Sequence, residues 1–241
     1  MFTNKKQRRI KIISEIHPQH YGSMDEIKRM ILQSKIGGAD YVKVQLYDSR
    51  ALFNDDERKY LEISKKELKE ISDYGKNIGI EICASIFDLD RVDWCEELNF
   101  KIYKVASRSV KDKNLCEKII SLKKPLIISL GMYYFKKKAV PFKNENIKYL
   151  YCVSKYPTLL EDVDMPNFDD SIFSGFSDHT IGIGASLHAV SKGAEIIEKH
   201  FSNNKSLNVT TQQAHVCSMN LKELTDLREI SDSITLLRNK D

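Results

Sequence analysis

Short runs rich in β-branched residues alternate with longer stretches of helical periodicity along the whole chain, and this alternation constrains the fold more than any other feature. Ile10 to Ile16 reads as a strand, and Met24 to Ile36 follows with Met24, Ile27, Ile31 and Ser34 on one helical stripe. Tyr41 to Leu46 is a second strand, and Ser64 to Asn77 then places Leu68, Ile71 and Tyr74 at helical spacing. Ile80 to Ala84 pairs with a helix over Leu89 to Leu98, and Ile102 to Val105 with one over Asn114 to Leu122. Four further strands are expected at Pro125 to Ser129, Ile147 to Val153, Phe173 to Phe176 and Glu195 to Glu198. The segments after the first two of these hold only short helices, whereas Ile183 to Ser191 and Leu221 to Arg238 follow the last two. Eight strand–helix repeats in 241 residues, with no linker, is the count of an α/β protein of the (β/α)8, or TIM-barrel, type. A doubly wound open sheet is the alternative, but no glycine-rich dinucleotide or P-loop fingerprint follows any strand.

Composition narrows the function classes. The formal net charge of +4 is spread over lysines that share their helices with glutamates, so there is no basic stripe of the kind that tracks nucleic acid. No run approaches the roughly 18 apolar residues of a membrane span, and the start, Met1 to Lys11, is polar and basic. A cytoplasmic protein with neither nucleic-acid nor membrane partners is expected. The five cysteines are odd in number and form no CxxC pair, which argues against a disulfide framework or a zinc ribbon.

In a (β/α)8 barrel the chemistry sits at the C-terminal ends of the strands. Polar residues recur there: Glu15; Lys43 and Gln45; Ser85; Lys104 and Ser107; Ser129; Ser154 and Tyr156; Ser177, Asp178 and His179; and Glu198, Lys199 and His200. Burying an ammonium group without a partner is costly, so lysines at these positions call for an anionic ligand or a carboxylate. Imidazoles bind divalent transition metals, which makes His179 and His200 candidate ligands of one ion in an open site. Lysines, hydroxyls and a divalent ion together suit a phosphorylated, anionic substrate. His17, His20 and His188 are weaker candidates.

The segments IISEI with the following His20 and Gly22, ADYVKVQLY, IYKVAS, ISLGM, CVSKYPT and GFSDHTIGIGASLHAVSKGAEIIEKHF resemble, in order, the N-acetylneuraminate (sialic acid) synthase family over about Lys11 to Arg238. The resemblance implies a (β/α)8 barrel that condenses phosphoenolpyruvate with an open-chain N-acylated amino sugar or related aldehyde, using Mn2+ or Mg2+. In the mechanism that the resemblance implies, carbon 3 of phosphoenolpyruvate attacks the aldehyde, water adds to the resulting oxocarbenium ion, and phosphate leaves. It also implies metal ligands at His179 and His200, and phosphoenolpyruvate-handling residues at Glu15, Lys43, Lys104, Ser107, Ser129, Ser154 and Tyr156. Ser177 and Lys199 lie nearby, and Gln45 and Asp178 complete the expected substrate-binding set. Glu15, Lys43, Lys104 and His215 are the expected catalytic residues, and a homodimer is the expected assembly.

Departures from the family pattern cluster on the acceptor side. The acidic residue expected after the ISLGM segment corresponds to Lys136, and the acid of a Gly-Pro-Asp-His segment after the last strand corresponds to Ala214 or a neighbour, just before His215. The resemblance would continue into a C-terminal antifreeze-like domain beyond Asp241; residues 1–241 are expected to be a single barrel without it, through truncation or by nature. A synthase with an altered acceptor is the leading expectation. A divergent phosphoenolpyruvate- or sugar-binding homologue without turnover is the alternative.

Overall fold

A computed structural model of the protein describes residues 9–133, 139–205 and 216–238. Eight parallel strands close into a barrel in sequence order: β1 (Lys11–Glu15), β2 (Tyr41–Leu46), β3 (Glu81–Ile86), β4 (Tyr103–Val105), β5 (Leu126–Ser129), β6 (Ile147–Cys152), β7 (Phe173–Asp178) and β8 (Ile196–His200). The ring is shut by β1 against β8, with Glu15 level with His200. The helices are α1 (Met24–Ile36), α2 (Ser49–Phe53), α3 (Lys65–Ile78), α4 (Leu89–Glu97), α5 (Lys113–Ser121), α6 (Gly184–Ser191) and α7 (Leu221–Arg238). The expected (β/α)8 architecture is therefore present, and the open sheet is excluded.

Local sequence explains where the helices start and stop. Ser23 accepts from the Glu26 amide at the start of α1, and Ser64 and Glu67 form a reciprocal capping box at the start of α3. α3 stops at Gly79, whose φ of 75° is the left-handed conformation that glycine adopts without a Cβ penalty. α2 is a short helix that the hydrophobic pattern does not announce; it starts where Asp48 caps the Ala51 amide. After β6 the Pro- and Asp-rich stretch makes only short 3-10 turns, at Leu160–Asp162 and Phe168–Asp170.

The barrel interior is layered, and strand alternation sets the layers. Ile13, Cys83, Ile102, Ile127, Leu150 and Ile196, with Tyr41 packed on them, form an apolar plug inside the ring. Two residues further along the same strands the inward side chains become Glu15, Lys43, Ser85, Lys104, Ser129, Cys152, Ser177 and Glu198. The alternate, outward residues, among them Ile12, Val42, Val44, Ala84, Val105 and Ile128, belong to the larger core between sheet and helices. The polar layer thus rests on a dry apolar floor at the C-terminal mouth.

Gly175 lies in β7 where the β6–β7 register shifts, and a Cβ there would come within 2.0 Å of the Ile196 carbonyl oxygen. The missing side chain lets β7 and β8 approach. α7 ties the last helix to the first strand: Arg228 donates to the carbonyls of Ile10 and Gly38 and pairs with Asp40 at 2.6 Å.

Candidate active site

A cavity of about 740 Å³ opens at the C-terminal ends of the strands. Of the residues expected from the sequence, Glu15, Lys43, Gln45, Lys104, Ser107, Ser129, Ser154, Tyr156, Ser177, His179 and His200 all line it. His215, Lys136 and Ala214 lie outside the described residues. A second hollow, of about 640 Å³, opens at the opposite end against the strand starts and holds none of the expected residues.

Two expectations are corrected. Asp178 and Lys199 do not reach the cavity; they are fully buried on the outer face of the sheet, where they pair with each other at 3.0 Å. Asp178 also accepts from the Thr180 amide and the Ser186 hydroxyl, and Lys199 donates to the Thr180 carbonyl. Alternation is the reason: with Ser177 and His179 facing in, Asp178 faces out, and Lys199 faces out between Glu198 and His200. The pair ties β7, β8 and α6 together behind the site.

The same alternation brings in Glu198, a strand-end residue left out of the expected catalytic and binding sets although its parity with His200 marks it. Lys43 is held between Glu15, at 2.7 Å, and Glu198, at 3.0 Å. Glu198 also lies 3.7 Å from Lys104 and accepts from the Ser177 hydroxyl at 2.9 Å. Burial pulls the Lys43 ammonium down, but the two carboxylates outweigh it and hold the pKa above the ordinary lysine value. Burial likewise works against the charged form of Glu198, yet Lys104 and Lys43 draw its carboxyl down to about 2. Glu15 is shifted up, by burial first and by the neighbouring Glu198.

Lys104 has the weaker support. Its ammonium donates to its neighbour's carbonyl, that of Val105, and burial lowers its pKa to about 8 despite Glu198. Across this floor the formal charges of Lys43 and Lys104 cancel those of Glu15 and Glu198. The buried hydroxyls of Ser85 and Ser129, both on the cavity wall, have no hydrogen-bond partner among the described residues. Unpartnered buried donors beside a soft-held ammonium are what an anionic ligand satisfies.

Whether the histidines suit a metal can be judged from their outer bonds. His179 Nδ1 lies 2.9 Å from the Val153 carbonyl, which can only accept, so Nδ1 carries the proton and Nε2 of the neutral ring keeps its lone pair. His200 Nδ1 lies 3.2 Å from the Gln19 side-chain amide, which also binds Ser218. An amide serves either ring tautomer by turning about its last bond, so His200 Nε2 is open to a cation as well. The ring centroids are 5.7 Å apart, and burial above all holds the His200 pKa well below the ordinary histidine value. Among the described residues no group of three or more His, Cys, Asp or Glu is arranged to hold a metal ion. The two imidazoles offer two donor nitrogens at the cavity, fewer than the three protein ligands of a usual catalytic zinc site.

His17 is more than a bystander. Gly22 N–H donates to His20 Nδ1 at 3.0 Å, which puts the His20 proton on Nε2, directed at His17 Nδ1 2.9 Å away. The neutral His17 ring then donates from Nε2 to the Tyr47 hydroxyl at 3.1 Å, leaving that hydroxyl free to donate in turn. His17 and Tyr47 both line the cavity. Arg58 and Arg108, on loops after β2 and β4, also line it and were not expected from strand-end reasoning.

A (β/α)8 barrel with a polar, charge-lined cavity at the C-terminal mouth is thus the class that fold and site define. Within that class, the chain belongs to the NeuB family, whose model matches residues 30–240. An uncharacterized protein of Methanocaldococcus jannaschii is 35% identical over 212 residues, a match that takes in 81% of this chain and 63% of that protein. The chain therefore spans less than two thirds of the length of that relative. An N,N'-diacetyllegionaminic acid synthase of Campylobacter jejuni is 30% identical over 92% of this chain and 77% of its own length. Among solved structures, an N-acetylneuraminic acid synthetase from Leptospira borgpetersenii, bound to citrate, superposes with a TM-score of 0.85 at 28% identity, covering 96% of this chain and 86% of that one. No described helix is long and apolar enough to cross a membrane.

Proposed function

We propose that the protein condenses phosphoenolpyruvate with the aldehyde of an N-acylated amino sugar, giving a sialic-acid-like nonulosonic acid and releasing phosphate. The observation that carries this reading is the inward polar layer: Lys43 clamped by Glu15 and Glu198, Lys104 lightly held, and the unpartnered hydroxyls of Ser85 and Ser129 above an apolar floor. Membership of a family that includes named nonulosonic acid synthases supports it.

In this reading Lys104 and the serines of β3 to β7 bind the anionic donor, and Lys104 neutralises the phosphate as it departs. Carbon 3 of the donor forms the new bond to the aldehyde carbon, water adds at carbon 2, and the carbon 2 centre collapses to a ketone as phosphate leaves. Lys43 is locked by its carboxylates at one height in the barrel, a fixed positive charge beside the reacting atoms that costs no reorganisation during the reaction. His179 and His200 would hold Mn2+ or Mg2+, which supplies Lewis-acid polarisation of the aldehyde oxygen. Because the floor is formally neutral without an ion, a dication also balances the donor's charge.

The test is incubation with phosphoenolpyruvate, Mn2+ and a panel of N-acylhexosamines. Phosphate release that requires an acceptor is the expected result. Donor binding by calorimetry with no release for any acceptor would mark a pocket without turnover, and failure to bind the donor at all would overturn the reading.

A further inference from the structure

Lys43 and Lys104 both line the cavity, and the fold treats them differently. Lys43 lies 2.7 Å from Glu15 and 3.0 Å from Glu198, two carboxylates that keep it an ammonium ion. Lys104 is as deeply buried, yet it donates only to the Val105 carbonyl among the described residues, at 3.0 Å, and stands 3.7 Å from Glu198. Burial comes first in bringing its pKa to about 8, against the pull of Glu198; the Lys43 charge adds to the lowering, and Cys152 and Glu15 oppose it. Near pH 8 the uncharged amine, which is the nucleophilic form, is then about 100-fold more abundant at Lys104 than at an ordinary lysine.

Strand register defines what such an amine meets. Ser85 on β3 stands level with Lys104, and on β5 it is Ile127 that stands level, so Ser129 lies one inward step nearer the mouth. Both serine hydroxyls are buried, line the cavity and have no hydrogen-bond partner among the described residues. Below them Ile102 and Ile127 belong to the apolar floor, which keeps water from reaching the amine on that side. Two free O–H donors on the strands flanking a neutral amine suit a carboxylate whose neighbouring carbon faces the nitrogen. A carboxylate bonded directly to a ketone carbon is a 2-oxo acid.

We propose that Lys104 forms a reversible imine with the carbon 2 ketone of 2-oxo acids that enter the cavity. The lone pair of the Lys104 nitrogen forms the carbon–nitrogen bond, and the ketone oxygen takes one proton from that nitrogen to become a carbinolamine hydroxyl. The hydroxyl then leaves as water with the second nitrogen proton, so no oxidant, reductant or further reactant takes part. Lys43, fixed as an ammonium ion, does not compete for the ketone. The consequence for turnover rests on the condensation reading: loss of phosphate from carbon 2 leaves a ketone beside Lys104, so the product is retained covalently and excludes the next donor. The imine with a simple 2-oxo acid stands apart from that reading.

Pyruvate is the probe. The protein is incubated with it near pH 8 and treated with sodium borohydride, which reduces an imine to a stable secondary amine, and the adduct is located by intact mass and peptide mapping. The expected result is a gain of one pyruvic acid less one oxygen per chain at Lys104, formed about 100-fold faster than at exposed lysines, with Lys43 unmodified. Lys104→Arg, which keeps the charge but stays protonated, should abolish the adduct; the mapping is made on the wild type, so the outcome does not depend on that variant folding. No adduct at Lys104, or labelling spread evenly over exposed lysines, would overturn the imine. Phosphoenolpyruvate at about ten times its dissociation constant should slow labelling about tenfold. Labelling at Lys104 without acceptor-dependent phosphate release would support the imine and count against condensation, whereas phosphate release from a protein that forms no adduct would refute the imine alone.

Discussion

At the scale of single residues, Glu198 organises the floor because it reaches two ammonium groups and one hydroxyl at once. Removing its charge leaves Lys43 and Lys104 facing each other, and Glu198→Gln should cost about 3–5 kcal/mol in denaturant unfolding, as breaking a buried ion pair does. A second effect follows from Lys104. Its pKa of about 8 means that the free protein holds this charge below pH 8 and loses it above. A bound trianion restores it, so phosphoenolpyruvate binding should take up a proton above pH 8, and affinity should fall there by up to about tenfold per pH unit. Calorimetry in buffers of different ionisation enthalpy measures the uptake. In Glu198→Gln, Lys104 loses the carboxylate that raises it, and the decline should begin at lower pH. An unchanged pH profile in that variant would separate Glu198 from Lys104.

At the scale of elements, β7 and β8 carry most of the site and show what sequence patterning can and cannot read. Periodicity placed α1 and α7 at their observed bounds, Met24–Ile36 and Leu221–Arg238, because each buries residues at helical spacing: Ile27, Met30, Ile31 and Ser34 in α1, and Leu224, Leu227, Arg228 and Ser231 in α7. It ended β7 and β8 too early, at Phe176 and Glu198, since the polar residues that extend them to Asp178 and His200 look like loop; they tolerate strand positions because a carboxylate, a paired ion or a side-chain amide meets each one. Parity along these strands would have moved Asp178 and Lys199 out of the site and Glu198 into it. Arg58, Arg108 and the His20–His17–Tyr47 chain had no such signal, because loop side chains are placed by tertiary packing on Phe53 and its neighbours rather than by strand alternation. Lys199→Ala should therefore destabilise by about 3–5 kcal/mol, through the stranded Asp178, while folded protein still binds phosphoenolpyruvate within twofold of the wild type. Gly175→Ala should cost about 3 kcal/mol or more in unfolding experiments, because its Cβ meets backbone of β8 that cannot move without opening the ring.

At the scale of the whole molecule, the closed barrel converts eight strand ends into one surface on which cations, carboxylates, hydroxyls and imidazoles converge. In the proposed function the polar layer takes the donor, and His179 and His200 would hold a divalent ion. Mn2+ should raise the thermal midpoint of the wild type by mass action and leave that of His179→Ala or His200→Ala unmoved; equal shifts in all three proteins would place the ion elsewhere. The most direct test of the central claim is the mass of the product formed from phosphoenolpyruvate and a hexosamine acceptor in the presence of Mn2+. One product is expected, in which the three carbons of the donor are joined to the acceptor through a new carbon–carbon bond, with one phosphate released per molecule. Recovery of the acceptor unchanged, with the donor intact or merely hydrolysed to pyruvate, would contradict it.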